Sequence, residues 1–149
     1  MGHGWEAVIV LDTNVLSELV RTAPSPIVVA WARAQSQETI FTTVICEAEL
    51  LAGLAMMPDG RRRADLARAV SAMLTMVLGS RVLPFDRAAA RSYAELAAVR
   101  RRTGRLVGMA DLQIAAIARA RNVEAIATRN TPHFDGCGVP LVNPWQGGA

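Results

Sequence analysis

The sequence predicts an α/β protein, a parallel sheet covered by helices. Three observations carry that expectation. The stretch Val8-Ile9-Val10-Leu11 is apolar, three of its four residues are β-branched, and it runs straight into Asp12 and a helix start. That is the pattern of a strand buried on both faces. Further short apolar runs then alternate with helical segments, which argues for parallel strands covered by helices. Finally, 149 residues with 52% apolar side chains suffice for one domain with a real core. There is no internal repeat and no second domain. The division expected is an extension over residues 1–6, one domain over 7–145, and a flexible Gly-rich tail over 146–149.

The elements follow in order. His3, in the extension, reads as a residue near the start of the chain without a ligand role. After the first strand, Thr13 or Asn14 is placed to cap a helix. Ser25 can cap the next one, with Pro26 at its first position; it is expected to reach about Gln35 and to bury Val28, Val29 and Trp31. Thr39-Ile40-Phe41-Thr42 is a short strand. Val44 to Met57 is apolar almost all round, the pattern of a buried helix, and Pro58-Asp59-Gly60 breaks it. A long helix runs from Arg61 to Leu78 and stops at Gly79-Ser80. Arg81 to Phe85 is a strand. Asp86 caps a helix to about Arg102 that buries Tyr93, Leu96 and Val99. A basic turn ends at Arg105. Gly108-Met109-Ala110-Asp111 opens a helix to Arg121 with Ala110, Ile114, Ile117 and Ala118 on its core face. Ala125-Ile126-Ala127 is a strand followed by Thr128-Arg129-Asn130, and a last strand lies around Val139 to Val142.

Composition excludes several classes. No run of about 18 apolar residues is free of charge, so no membrane span is expected. Glu6 and Asp12 break the only early apolar stretch, so no signal peptide is read. Cys46 and Cys137 lie far apart and fit neither a disulfide framework nor a metal knuckle; a reducing cytoplasmic setting follows as the expectation. The net charge is +3, and all 16 basic residues are Arg. Arg forks suit phosphate, although so small a surplus is weak support for nucleic acid. The absence of Lys is more useful, because a phosphate-binding loop needs a Gly-Lys pair.

Three acids stand in unusual settings. Asp12 follows the first strand, where open α/β sheets build their sites; it could equally be only a cap and a turn former. Glu49 shares a helix face with Ile45, Ala52, Gly53 and Met56, where a carboxylate is costly unless it is paired or metal-bound, whereas Glu47 points the other way and is taken as the solvated one. Asp111 sits at a helix start, where capping is the simpler explanation. Together they make a hard-oxygen set that suits Mg²⁺ or Mn²⁺. A cation held there activates water for phosphodiester hydrolysis with no covalent nucleophile from the protein. A haloacid-dehalogenase-like phosphatase needs a second Asp where Asn14 stands, and also a Lys. Phosphoacceptor receiver domains need an acidic pair and a Lys. Both are disfavoured.

At the level of motifs the chain resembles the PIN-domain ribonucleases, in their VapC and FitB-like branch. Leu11-Asp12-Thr13-Asn14-Val15-Leu16-Ser17-Glu18-Leu19 looks like their opening motif. Ala48-Glu49-Leu50 with Gly53 looks like the second, Gly108 to Ala116 the third, and Ala127-Thr128-Arg129-Asn130 with Phe134 the fourth. Gly138 to Trp145 is similar to the tail of that branch. Four motifs in order, from about Val8 to Trp145, make the resemblance specific. It implies the PIN fold, a Rossmann-like three-layer α/β/α sandwich with a central, mostly parallel sheet, together with RNA hydrolysis with Mg²⁺ or Mn²⁺, catalytic acids at Asp12, Glu49 and Asp111, a homodimer, and a VapB-like antitoxin that silences it.

One departure stands out. Many relatives carry a fourth acid between the Asn and the Phe of the last motif, and here that position is His133. A surface-loop His, or one touching RNA phosphate, are the two readings. Asp135 is expected to face away. A single well-held metal is therefore expected, with Asp12 and Asp111 as direct ligands, Glu49 as a further candidate, and Asn14 and Asn130 in support. Arg129 is the chosen RNA contact; Arg61–Arg63 and Arg100–Arg102 read as solvated helix faces. Aromatic residues are scarce, so a base-stacking platform is poorly supported. The alternative function is a PIN module that binds RNA or a protein partner without cutting. The RNA target and the antitoxin cannot be read from the chain.

Overall fold

A computed structural model describes residues 7–105 and 107–147. The extension over 1–6, with His3, and the last two residues of the tail lie outside the described residues. Five strands, β1 (Ile9–Leu11), β2 (Ile40–Thr43), β3 (Val82–Leu83), β4 (Ala125–Ala127) and β5 (Leu141–Val142), form one sheet in the order β3-β2-β1-β4-β5. Every pairing is parallel, with Ile9 opposite Ile40 on one side and Ala125 on the other. The first strand is central and wholly buried, which is why it reads as an unbroken apolar run.

Seven α-helices connect the strands: α1 (Thr13–Leu19), α2 (Pro26–Arg33), α3 (Val44–Met56), α4 (Arg61–Ala72), α5 (Arg87–Thr103), α6 (Met109–Ala120) and α7 (Thr131–Phe134). From β1 the chain steps outward to β2 and β3, then returns to the other side of β1 for β4 and β5. Right-handed crossovers in opposite directions send the two helix sets to opposite faces of the sheet. The reversal also leaves a crevice at the carboxyl ends of β1 and β4, the place where such sheets bind ligands.

Several sequence expectations change here. The residue that caps α1 is neither Thr13 nor Asn14 but Asp12, whose side chain accepts from the Thr13 N–H. Ser25 occupies the cap position of α2 without a side-chain cap bond, and Val29 is only half-buried. The long helix after Gly60 tightens less than an α-helix at its end: Met73–Leu78 form a π-helical turn closed at Gly79. In α5 the buried residues are Ala89, Ser92, Leu96 and Arg100, while Tyr93 is half-buried and Val99 is exposed. Arg100 therefore leaves the set of solvated basic residues; Arg101 and Arg102 stay in it. The short helix α7 has no counterpart in the sequence reading. It is a single turn opening on Thr131-Pro132, too short to leave a periodic pattern.

The largest correction concerns α3. Its all-round apolar sequence predicts burial, yet only Cys46 and Leu50 are buried. Val44, Leu51 and Met56 are exposed, Met56 by 79%. Glu49 lies on the exposed side and Glu47 is the half-buried acid, the reverse of the expectation. The helix is set in place instead by its ends: Thr43 caps it through the Cys46 N–H at 3.2 Å, and Thr42 ties β2 to the Leu11 carbonyl at 2.7 Å.

Candidate functional site

The crevice at the β1–β4 switch is a cleft of about 540 Å³ lined by Asp12, Thr13, Asn14, Ser17, Glu18, Arg21, Glu49, Asp111, Arg129, Asn130 and Trp145. Every candidate named from the sequence except His133 lines it. His133 reaches it through Asp111.

Asp12 sits on the floor of the cleft and is only 3% exposed. Its Oδ1 accepts from the Thr13 N–H at 2.8 Å. Its Oδ2 accepts from the Thr128 hydroxyl at 2.7 Å and from the Asn14 amide at 3.3 Å. Burial pushes the Asp12 carboxyl above its ordinary range. The Thr128 and Thr13 hydrogen bonds oppose that push, and the charges of Asp111 and Glu49 add to it. A buried carboxylate repelled by two others calls for a counter-charge.

Asn14 and Thr128 form a brace between the first and fourth strands. Asn14 donates to the Thr128 hydroxyl at 3.3 Å and accepts from the Arg129 N–H at 3.2 Å. The Asn130 N–H donates to the same hydroxyl at 3.0 Å. Asn14, expected in support of the site, thus touches both Asp12 and the loop after β4, while Asn130 meets that loop through its backbone. Thr128 is the functional residue the sequence reading passed over. Its signal was its place, immediately after a strand that pairs with β1.

Glu49 comes from the exposed face of α3 and accepts from the Thr13 hydroxyl at 2.5 Å. Asp111 comes from the first turn of α6, but Gly108 holds the cap position, so Asp111 is free of the capping role. Its Oδ2 lies 2.8 Å from His133 Nδ1. Among the described residues no Arg forms an ion pair with Asp12, Glu49 or Asp111. Asp135 is exposed and meets Arg105 at 3.5 Å, consistent with its facing away from the cleft.

On the rim, the Arg129 guanidinium stacks on Trp145, 4.1 Å from the ring centroid. The Trp145 backbone N–H donates to the Asn143 side chain at 2.9 Å, which caps the turn that carries the ring. Glu18 was also not singled out from the sequence. It is buried, accepts from the Ser25 N–H at 2.8 Å and joins the α1–α2 connection to the cleft. That backbone bond holds the Glu18 carboxyl below its ordinary range against the cost of burial, with Arg21 and Arg129 acting the same way.

Among the described residues no three His, Cys, Asp or Glu side chains converge tightly enough to hold a metal ion as they stand. Each of the three cleft acids is turned to a local partner instead. The donor chemistry still fits a hard divalent cation. Asp12, Glu49 and Asp111 line one cleft without a paired Arg, beside the Arg21-paired Glu18, and a carboxylate that already accepts hydrogen bonds keeps lone pairs free.

Comparison with known proteins fits this arrangement. A family model described as PIN domain matches residues 9–135. The chain is 45% identical over 138 residues to VapC ribonuclease Y4jK of Sinorhizobium fredii, covering 93% of this chain and 98% of the relative. It is 34% identical over 138 residues to Toxin FitB of Neisseria gonorrhoeae, covering 93% and 99%. The crystal structure of FitAcB from Neisseria gonorrhoeae superposes with a TM-score of 0.85 at 34% identity, over 93% of this chain and 99% of that one. A member of the VapBC family of toxin-antitoxin systems, VapBC-5 from Mycobacterium tuberculosis, gives 0.70 at 28% identity, over 93% and 98%.

Proposed function

The chain belongs to the PIN domain family, and from that premise we propose that it is a metal-dependent endoribonuclease acting as the toxin of a type II toxin–antitoxin pair. One observation carries the reading: carboxylates from three distant parts of the chain, Asp12, Glu49 and Asp111, line a single cleft with an Arg on its rim. The names of its relatives, a VapC ribonuclease and a toxin, support the same class.

Asp12 and Asp111 would hold Mg²⁺ or Mn²⁺, with Glu49 as a further ligand. A cation bound there supplies activated water and neutralises charge on a phosphodiester in its transition state. The protein's own part is to hold the acids. The Thr128 hydroxyl and the Thr13 N–H fix Asp12, the Thr13 hydroxyl fixes Glu49, and Asn14 ties the two loops together. Neither Cys can act as a nucleophile, because both thiols are buried and burial raises them above their ordinary range. Purified protein should cut single-stranded or loop RNA with Mg²⁺, and EDTA should stop it. RNA that is bound but uncut with both Mg²⁺ and Mn²⁺ would return the chain to the non-catalytic reading.

Arg129 is the RNA contact in this proposal. Stacking on Trp145 removes freedom from its side chain, so less is lost when the guanidinium meets a phosphate. Arg129→Ala should weaken RNA binding across sequences and lower the salt slope of log K by about 1. Filter-binding titrations at several salt concentrations read both effects; an unchanged slope would remove Arg129 from the phosphate path.

The partners are a cognate antitoxin and a second copy of the chain, with the cytoplasm as the setting. The antitoxin follows from likeness to proteins of toxin-antitoxin systems. A homodimer is supported by the exposed apolar side chains Val44, Leu51 and Met56 of α3, unusual in number for a single helix that stays solvated. Leu51→Glu should shift the dimer to monomer in sedimentation at micromolar concentration, whereas wild-type protein that stays monomeric there would end the proposal. Among the described residues no helix is long and apolar enough to cross a membrane.

A further inference from the structure

His133 replaces an acid expected from the family resemblance, and its contacts show what it does instead. Among the described residues it is the sole hydrogen-bond partner of the Asp111 carboxylate, at 2.8 Å between Nδ1 and Oδ2. Asp111 needs such a partner, because it does not cap its own helix. His133 in turn sits on α7, a turn of four residues that is too short to fix its own position.

Two Arg residues at the end of α5 fix it. Arg100 Nη2 donates to the His133 carbonyl at 3.3 Å, and Arg105 Nη2 donates to the Pro132 carbonyl at 3.1 Å. Arg105 also meets Asp135, through its carbonyl and its carboxylate, both at 3.5 Å. The αL residue Gly104, with φ 71°, ends α5 and turns the chain between these two clamps. Arg100 is only 7% exposed, and among the described residues its Nη1 has no hydrogen-bond partner. A buried donor left without a partner is destabilising. An apolar side chain would fill that space without the cost, but it would not grip α7.

We infer that His133 is the positioning residue for Asp111, and that Arg100 and Arg105 act through it by clamping the backbone of α7. His133 holds one carboxylate oxygen, Oδ2, which leaves the other to face a divalent cation. A role in stability alone is a poor account of the contact. Both side chains are partly exposed, 55% for His133 and 25% for Asp111, and pairs of that kind contribute little to stability. The inference rests on the proposed metal-dependent function.

The test is calorimetric titration of the full chain with Mn²⁺. His133→Ala should bind about 10–100-fold more weakly, the usual result of removing the partner of a metal ligand, with an unchanged thermal melt. His133→Asn, whose amide nitrogen can take the place of Nδ1, should recover most of the affinity. Arg105→Ala should lie between them. In metal-free protein the ¹³C resonance of the Asp111 carboxyl should move in His133→Ala and return towards its wild-type position in His133→Asn. If wild-type protein binds Mn²⁺ and His133→Ala binds it equally well, the inference falls and the proposed function stands. If wild-type protein binds no Mn²⁺, both fall.

Discussion

Asp12→Asn and Asp111→Asn should each lower RNA cleavage by at least about 100-fold, the loss typical when a group that stabilises developing charge is removed, while the fold survives. The two variants differ in stability. Asp12 is buried beside two other acids, and its carboxyl is raised above the ordinary range, chiefly by burial. The folded state therefore prefers the protonated acid. The associated stability is fully present below the unfolded pKa and is lost as pH rises through the raised folded one. At neutral pH the ionised Asp12 thus opposes folding, and a neutral amide relieves that opposition. The amide also turns an N–H₂ towards donors that the Asp12 oxygens now accept, so the expected reading is the trend: the melt of Asp12→Asn relative to wild type should rise as pH rises through the carboxylate range. Asp111 is a quarter exposed, and its substitution should leave the melt nearly unchanged. Full cleavage by either variant, with melting curves confirming the fold, would sink the assignment of these acids.

Phe134→Ala should be the most destabilising single change near the site, at about 3–5 kcal/mol. Phe134 is fully buried and is among the largest side chains in the core. It anchors α7, and its carbonyl accepts from the Cys137 N–H at 3.0 Å to start the turn towards β5. For a domain of this size each kcal/mol corresponds to about 2–4 °C in melting temperature. Urea denaturation would measure the loss, and a value below about 1 kcal/mol would show that α7 is held by something other than its Phe. Cleavage should fall in the folded fraction as well, since the same turn carries His133 to Asp111.

The fold was legible because its strongest signals are local. Val8 to Leu11 shows a buried strand directly, and the Asp86 cap is realised through the Ala89 N–H at 2.9 Å. Asp12, Asn14, Glu49, Asp111, Arg129 and Asn130 do line one cleft. What the sequence could not show depends on long-range contacts. Glu49 was placed in a buried setting because α3 is apolar all round, but a helix pattern does not say which neighbours a helix has. Arg100 looked like one of three solvated Arg residues, and only the packing of α5 against α6 and the Arg100 hydrogen bond to the His133 carbonyl distinguish it. Thr128 carries no motif strong enough to draw notice by itself; its importance arises from lying beside Asp12, 116 positions earlier in the chain.

The central position of β1 has a consequence for how the protein is made. Synthesis runs from the amino end, and β1 leaves the ribosome first, with β2 and β3 able to join it on one side only. Its other edge stays open until β4 at Ala125–Ala127 arrives. Until then Asp12 lacks Thr128, Asn14 has no Arg129 N–H to accept, and His133 and Trp145 have not yet been made. The cleft is therefore completed by roughly the last sixth of the chain, and a product ending before β4 would carry Asp12, Glu49 and Asp111 without the Thr128, Arg129 and His133 that hold or flank them. Closing a pairing across so many residues is also slow. For the proposed ribonuclease, this order means that the cleft is finished last, while the chain is still beside ribosomal RNA and the messenger being translated.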